Sequence, residues 1–128
     1  MKNKLNGKLG ELAARWYMRL HGYRIVCRNH VIGRGTTAGE LDFVACKGKV
    51  LVFVEVKERN KIEQAMAAIS KQQQKRIVTA AQVFLQRNQQ YNGFDIRFDA
   101  VFVKLPFTIV HIKNAWGAEV LQNKNPRR

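Results

Sequence analysis

The sequence predicts a single α/β domain whose elements follow the order α-β-β-β-α-β. Apolar residues recur every three or four positions near the start of the chain and again after residue 70, as in amphipathic helices. Short alternating or continuous apolar runs, bounded by turn residues, occupy the other regions and are typical of strands. With 128 residues, of which 46% are hydrophobic, the chain is long enough for one packed core. We expect one domain over residues 1–122 and a flexible basic tail over residues 123–128.

The first helix is predicted from an apolar stripe. Its members recur at helical intervals along one face: Leu5, Leu9, Leu12, Ala13, Trp16 and Leu20. Gly22 is placed to end this helix, because glycine readily adopts the left-handed conformation found after many helices.

Three strands are predicted to follow the helix. Residues 23–28 alternate between two faces, and the apolar runs 40–46 and 49–57 flank Lys47-Gly48, which predicts a hairpin. Because residues 50–54 are apolar on both faces, we expect the third strand to be covered on both sides.

The second half of the chain predicts one long helix and further strands. Helical spacing over residues 62–69 indicates a short helix or helical turn, and Ser70 with Gln73 forms a capping box for a longer helix to about residue 87. Strand patterns then follow at residues 96–104 and 108–112.

The charge of the chain restricts its partners more than its fold. The formal net charge is +14 and the isoelectric point is near 10.4, which favours a polyanion such as nucleic acid over most other partners. An anionic membrane is the competing partner, but no apolar run approaches the length of a membrane span. We therefore expect a cytoplasmic protein that binds nucleic acid and no membrane.

Three of the nine acidic residues fall within the predicted hairpin. If Lys47-Gly48 is the two-residue turn, Glu40 pairs with Glu55, and Asp42 and Lys57 project from the same face. Two carboxylates about 5 Å apart repel by roughly 3 kcal/mol at an effective dielectric near 20. A divalent cation such as Mg²⁺ or Mn²⁺, coordinated by both carboxylates, would offset this repulsion. Such a site, with a lysine beside it, is typical of enzymes that hydrolyse phosphodiesters with the help of a metal ion. The simpler alternative is a solvated strand edge with an ordinary salt bridge.

Two segments of the hairpin carry a family resemblance. Residues 39–45 (Gly-Glu-Leu-Asp-Phe-Val-Ala) and 52–57 (Val-Phe-Val-Glu-Val-Lys) resemble the signature of the YraN-type family of small bacterial proteins. This family is similar to archaeal Holliday junction resolvases in the PD-(D/E)xK nuclease superfamily. Further matches extend over nearly the whole chain, at residues 10–14, 22–25, 71–72, 76 and 97–99. The resemblance implies a restriction-endonuclease-like core, in which a central mixed sheet is flanked by helices.

The resemblance also implies roles for individual residues. Asp42 and Glu55 would bind the metal, Lys57 would be the catalytic lysine, Glu40 would be an extra acid, and Glu11 would reach the site from the first helix. The implied enzyme is an endonuclease acting on DNA that is branched or otherwise structured. A homodimer would supply the two sites needed to cut two strands.

Other candidates stand beside simpler structural readings. Arg34, Lys71, Gln72 and Lys75 are candidate nucleic-acid contacts, although solvated polar residues are the default in a loop or on a helix surface. Glu11 also has Arg15 four residues later, which predicts an exposed helix pair. Two alternatives for the whole chain stay open: a basic nucleic-acid-binding module that keeps the fold without cutting, and an RNA-associated accessory protein.

Overall fold

The structure, a computed structural model, describes residues 4–31, 40–59, 69–106 and 108–121. The regular elements are α1 (Lys4–Leu20), β1 (Arg24–Val31), β2 (Glu40–Lys47), β3 (Val50–Glu58), α2 (Lys71–Arg87), β4 (Asp95–Lys104) and β5 (Thr108–Trp116). Single 3₁₀ turns follow α2 at Gln89–Tyr91 and β5 at Ala118–Leu121. Among the described residues, no helix is long and apolar enough to cross a membrane. The helical turn expected over residues 62–69 and the tail expected over residues 123–128 lie outside the described residues, apart from Ile69.

The strands form one mixed sheet in the order β1-β2-β3-β4-β5. Strands β3 and β4 are parallel, and the other neighbouring pairs are antiparallel. Helix α2 lies between β3 and β4 in the sequence, as expected because parallel neighbours need a crossover connection. The predicted α/β class and element order are therefore confirmed, with β5 continuing to Trp116.

Within the described part of the chain, one helix packs on each face of the sheet. On one face, Phe53 and Phe98 pack with Ile77 and Phe84 of α2. On the other face, Phe43 and Val52 pack with Met18 of α1. The full burial of residues 51–54 confirms that β3 is covered on both sides.

Helix α1 packs through a different face from its large apolar stripe. Ala14 and Met18 are fully buried against the sheet, and a Cβ on Gly10 would lie 3.0 Å from Glu58 Oε1. Small residues on this face let the helix backbone approach β3 closely. The large apolar side chains at positions 9, 12, 16 and 20 instead remain exposed.

The β2–β3 hairpin differs by two residues from the register predicted by its sequence. Lys47 pairs with Val50 and Val44 pairs with Phe53, so the turn is Gly48-Lys49 and not Lys47-Gly48. Gly48 has φ +60°, a left-handed conformation that is strained for lysine, which explains why the glycine takes the first turn position. The expected pairing of Glu40 with Glu55 is therefore wrong. Because side chains alternate with a period of two, the shift still leaves every side chain on its predicted face.

Candidate active site

Strand alternation brings Asp42, Glu55 and Lys57 to the face of the sheet that α2 covers. On β2, Val44 packs on the α2 side, and Asp42 is two residues away on the same face. On β3, Phe53 packs on the α2 side, and Glu55 and Lys57 continue that face. Continuing the observed register by one residue from the Phe43–Val54 pair sets Asp42 opposite Glu55.

Asp42 is fixed by the neighbouring strand and perturbed by its surroundings. The backbone N–H of Val56 donates to Asp42 Oδ2 over 2.7 Å. Burial and the negative charge of Glu55 raise the pKa of Asp42 to about 7, although the Val56 hydrogen bond opposes this shift. The Asp42 and Glu55 carboxyl groups hydrogen-bond each other, so a proton between them relieves their repulsion at neutral pH.

Glu55 has two further partners. Lys57 Nζ lies 3.3 Å from Glu55 Oε2, and Gln73 Nε2 of α2 donates to the same oxygen over 2.6 Å. Burial raises the pKa of Glu55, while the Lys57 ammonium lowers it in part. Glu55 is only 6% exposed, so one lysine and one amide must compensate a carboxylate that is nearly removed from water.

Glu11 reaches this cluster from α1, as the resemblance implies. Its side chain hydrogen-bonds Asp42, and its Oε1 lies 3.9 Å from Arg15 Nη1. Glu11 therefore forms both the ion pair with Arg15 on the same helix and the contact with Asp42. Three carboxyl groups from α1, β2 and β3 thus meet at one end of the sheet.

The donor set suits a hard divalent cation that keeps water or phosphate ligands. Within the described ranges, no three His, Cys, Asp or Glu side chains form a complete metal-binding group. Mg²⁺ is usually held by one or two protein carboxylates, with waters and substrate phosphates filling its other positions. The Asp42–Glu55 pair supplies that number of donors, and a cation would compete with protons for these carboxyl groups of raised pKa.

Gln73, rather than Gln72, is the α2 side chain that meets the carboxylates. Gln72 is exposed and lines a surface depression with Lys75, Arg76 and Thr79. A sequence signal for Gln73 was present, because it continues the buried helical stripe by one turn toward the N-terminus: Ile77, Ala80, Ala81 and Phe84. The N-cap half of the predicted capping box is confirmed, since Ser70 Oγ accepts from the Gln73 backbone N–H over 3.0 Å, while the Gln73 amide donates to Glu55.

The remaining candidates are exposed on α2 or have side chains outside the described part of the chain. Lys71 and Lys75 are exposed on α2. Glu40 begins β2, but its side chain lies outside the described residues, as does the whole of Arg34.

A second buried carboxylate, Asp99, lies on the opposite face of the sheet. It is 0% exposed and accepts two hydrogen bonds from Arg97, one from His111 Nε2 and one from the Asn114 backbone N–H. Burial alone would raise the pKa of Asp99, but these donors lower it below its ordinary value.

One protein-family model matches the part of the sequence that contains most of these helices and strands. The model described as uncharacterised protein family UPF0102 matches residues 10–103, from Gly10 of α1 to the last but one residue of β4. The chain belongs to the UPF0102 family. The YraN-type resemblance is thereby confirmed at the level of the family, and the matched range includes Glu11, Asp42, Glu55, Lys57 and Gln73.

Individual relatives extend over a similar range. A UPF0102 protein of Paramagnetospirillum magneticum is 41% identical over 113 residues, which cover 86% of this chain and 85% of the relative. Another, of Mesorhizobium japonicum, is 41% identical over 111 residues, with coverage of 86% and 85%. A third, of Ehrlichia chaffeensis, is 34% identical over 110 residues, again with 86% and 85%.

Proposed function

We propose that this UPF0102 protein is a metal-dependent endonuclease that hydrolyses phosphodiester bonds in DNA. The observation that carries the proposal is the contact between two carboxyl groups of raised pKa, with Lys57 Nζ 3.3 Å from Glu55 Oε2. Such a cluster costs stability through repulsion and desolvation, so a structural role explains it poorly. The family resemblance in the hairpin supports the same assignment.

Asp42 and Glu55 would hold Mg²⁺ or Mn²⁺, with Glu40 contributing from the start of β2 and Glu11 acting through its contact with Asp42. A bound cation would supply Lewis acidity toward a phosphate oxygen and lower the pKa of a coordinated water. The Val56 N–H keeps Asp42 Oδ2 in place, which fixes the carboxylate without adding another charge.

Lys57 and Gln73 complete the chemistry from the protein side. The Lys57 ammonium is partly exposed and beside Glu55, so it is placed to orient the attacking water and to stabilise charge on a phosphate oxygen. Gln73 holds Glu55 Oε2 through its amide and thereby limits rotation of that carboxylate.

The surface next to Gln73 suits a phosphate backbone. Helix α2 contains no acidic residue, and its exposed residues Lys71, Gln72, Lys75 and Arg76 begin one turn or less from Gln73. Contacts of this kind neutralise phosphates without reading bases, so binding should weaken steeply as salt rises. We propose that DNA flanking the cleaved bond lies along this side of α2.

The decisive experiment is cleavage of labelled duplex, single-stranded and four-way DNA in Mg²⁺, Mn²⁺ or EDTA. We expect cleavage with either metal and none in EDTA. Asp42→Asn and Lys57→Ala should each lower the rate by at least a hundredfold, as removal of catalytic groups commonly does. Preference for the four-way substrate would assign the enzyme to branched DNA.

Asp95→Asn is the matched control, because Asp95 is an exposed acid on β4 outside the cluster. Its rate should equal that of the wild type. Cleavage that persists in EDTA or in Asp42→Asn would contradict the proposed site. Tight, salt-sensitive binding with no cleavage under any condition would favour a binding module instead.

A further inference from the structure

Helix α1 exposes a continuous apolar stripe on the side away from the sheet. Leu9, Leu12, Trp16 and Leu20 are 42%, 41%, 54% and 79% exposed. A single exposed leucine is ordinary, but four large apolar side chains along one helix form a patch of the kind found at interaction sites. These four residues are called the α1 seam below.

The seam is as narrow as the surface that one helix contacts in a coiled coil. Its members are spaced by three, four and four residues, so the first three follow the a and d positions of a coiled-coil repeat. A helix packed on a globular core usually shows a wider apolar stripe than this. From Leu9 to Leu20 the seam is about 16 Å long at 1.5 Å per residue, which is about three helical turns.

One border of the seam, on the side of Leu12, is basic. Lys8 and Arg19 are exposed beside it, and the Arg19 guanidinium lies 5.1 Å from the centre of the Trp16 ring. Glu11 is the acid of this helix, and it already interacts with Asp42 and Arg15. A partner helix must therefore bring its own carboxylates to this border.

A second copy of the chain fits these charges poorly. If two seams pair antiparallel with Leu12 opposite Trp16, Lys8 of each copy lies beside Arg19 of the other. Parallel pairing sets the basic border of each copy against the opposite border of the other, where Ala13 and Tyr17 offer no carboxylate to the cations. Like charges that flank a helical seam oppose pairing and select other partners.

We propose that the α1 seam binds an acidic amphipathic helix of another protein. Apolar anchors of that helix contact Leu12, Trp16 and Leu20, and its glutamates or aspartates lie beside Lys8 and Arg19. The net charge of +14 also accelerates the approach of an acidic partner. This interaction uses the outer face of α1 and does not depend on the proposed nuclease activity.

The test uses a dye-labelled, 21-residue helical peptide with leucine at a and d and glutamate at e and g, measured by fluorescence anisotropy. One control peptide has lysine at e and g, and another keeps the glutamates but scrambles the leucines off the seam. We expect the first peptide to bind at least tenfold more tightly than either control. The Leu12→Gln/Leu20→Gln variant should lose at least tenfold, while Ile96→Gln, at a 37% exposed position on β4, should bind normally.

Thermal unfolding of each variant is the control for folding. Because the substituted positions are exposed, we expect the variants to keep the fold. Equal binding of the three peptides, no binding up to 1 mM, or no loss in the double variant would each overturn the proposal. Sedimentation that shows wild-type dimers dissociated by the double variant would assign the seam to a second copy. Seam-dependent binding to phosphatidylglycerol vesicles, without peptide binding, would assign it to a lipid surface.

Discussion

The two buried carboxylate clusters of this sheet are built in opposite ways. Asp99, on the α1 side, receives four hydrogen bonds, and these donors lower its pKa. Asp42 and Glu55, on the α2 side, face each other, and burial raises the pKa of both. A carboxylate placed for stability is surrounded by donors, whereas a pair kept against its own repulsion needs a cation or a proton. This contrast is what separates a structural acid from a candidate catalytic one.

The largest effect on stability is expected from removing Asp99, the carboxylate that is surrounded by hydrogen-bond donors. Asp99→Ala removes the partner of Arg97 and leaves the guanidinium without its buried counter-ion. We expect the free energy of unfolding to fall by about 3–5 kcal/mol in urea titrations. Asp95→Ala, at an exposed position on the same strand, should change it by less than about 0.5 kcal/mol. Equal losses in the two variants would show that Asp99 is not a stabilising centre.

Asp42→Asn should raise the free energy of unfolding, whereas Asp99→Ala lowers it. The folded-state pKa of Asp42 is about 7, above the ordinary value of 3.8 for this group, so its contribution to stability is fully present below about pH 4 and is lost as pH rises through 7. In EDTA at pH 8 we expect Asn at this position to raise the free energy of unfolding by about 2–3 kcal/mol, since it keeps an acceptor for Val56 N–H without the charge.

The pH profiles distinguish the clusters further. The advantage of Asp42→Asn should shrink as pH falls from 8 to 5, because the wild-type carboxyl becomes protonated. The depressed pKa of Asp99 gives stability that is present above its unfolded value and is lost as pH falls through the folded one. An advantage of Asp42→Asn that does not change with pH would contradict the shared-proton description of the pair.

A smaller effect is expected from the metal itself. With a dissociation constant near 1 mM, 10 mM Mg²⁺ stabilises the wild type at pH 8 by about 1.4 kcal/mol, measured as a rise in melting temperature. Asp42→Asn should lose this rise and Asp95→Asn should keep it. At pH 5.5 the rise should shrink, because protons compete for the same carboxylates. An equal rise in all three proteins would indicate non-specific ion effects.

Strand patterns predicted the face of the candidate site better than its pairing. The alternation of Asp42 with apolar neighbours, and of Glu55 with Lys57, is enough to assign a face. A register shifted by two residues keeps every face, so alternation cannot distinguish Glu40 from Asp42 as the neighbour of Glu55. Only the conformational demand at Gly48 selects the observed turn.

Helix patterns were informative about the existence of elements and less so about their contacts. The apolar periodicity of α1 predicted a helix, but its packed face is formed by smaller residues around Ala14, and the larger apolar residues are exposed. On α2, neighbouring glutamines differ by about 100° in direction, so Gln72 and Gln73 have different environments. Aligning Gln73 with the buried stripe that begins at Ile77 would have identified the site-facing residue.

The smallest effect is expected from changing how closely α1 packs on β3, because this packing positions Glu11 beside Asp42. A Cβ added by Gly10→Ala would lie 3.0 Å from Glu58 Oε1 and 3.3 Å from Glu58 Cβ, so the helix or Glu58 must move. Alanine favours the helix by up to about 1 kcal/mol, which offsets the contact and should leave the net stability change below about 1 kcal/mol. The cleavage rate should nevertheless fall several-fold, because a shifted α1 withdraws Glu11 from Asp42.

Glu58→Ala provides the matched rescue, since it removes the carboxylate that the new methyl group would meet. In the Gly10→Ala/Glu58→Ala variant the 3.0 Å contact with Oε1 is removed while the 3.3 Å contact between the two Cβ atoms remains, so part of the lost rate should be restored, which a double-mutant cycle of cleavage rates measures. Additive losses in the two single variants would mean that the close approach of α1 does not position Glu11. Restoration would show that a glycine packed on the structural face of the sheet sets the geometry of the candidate active site.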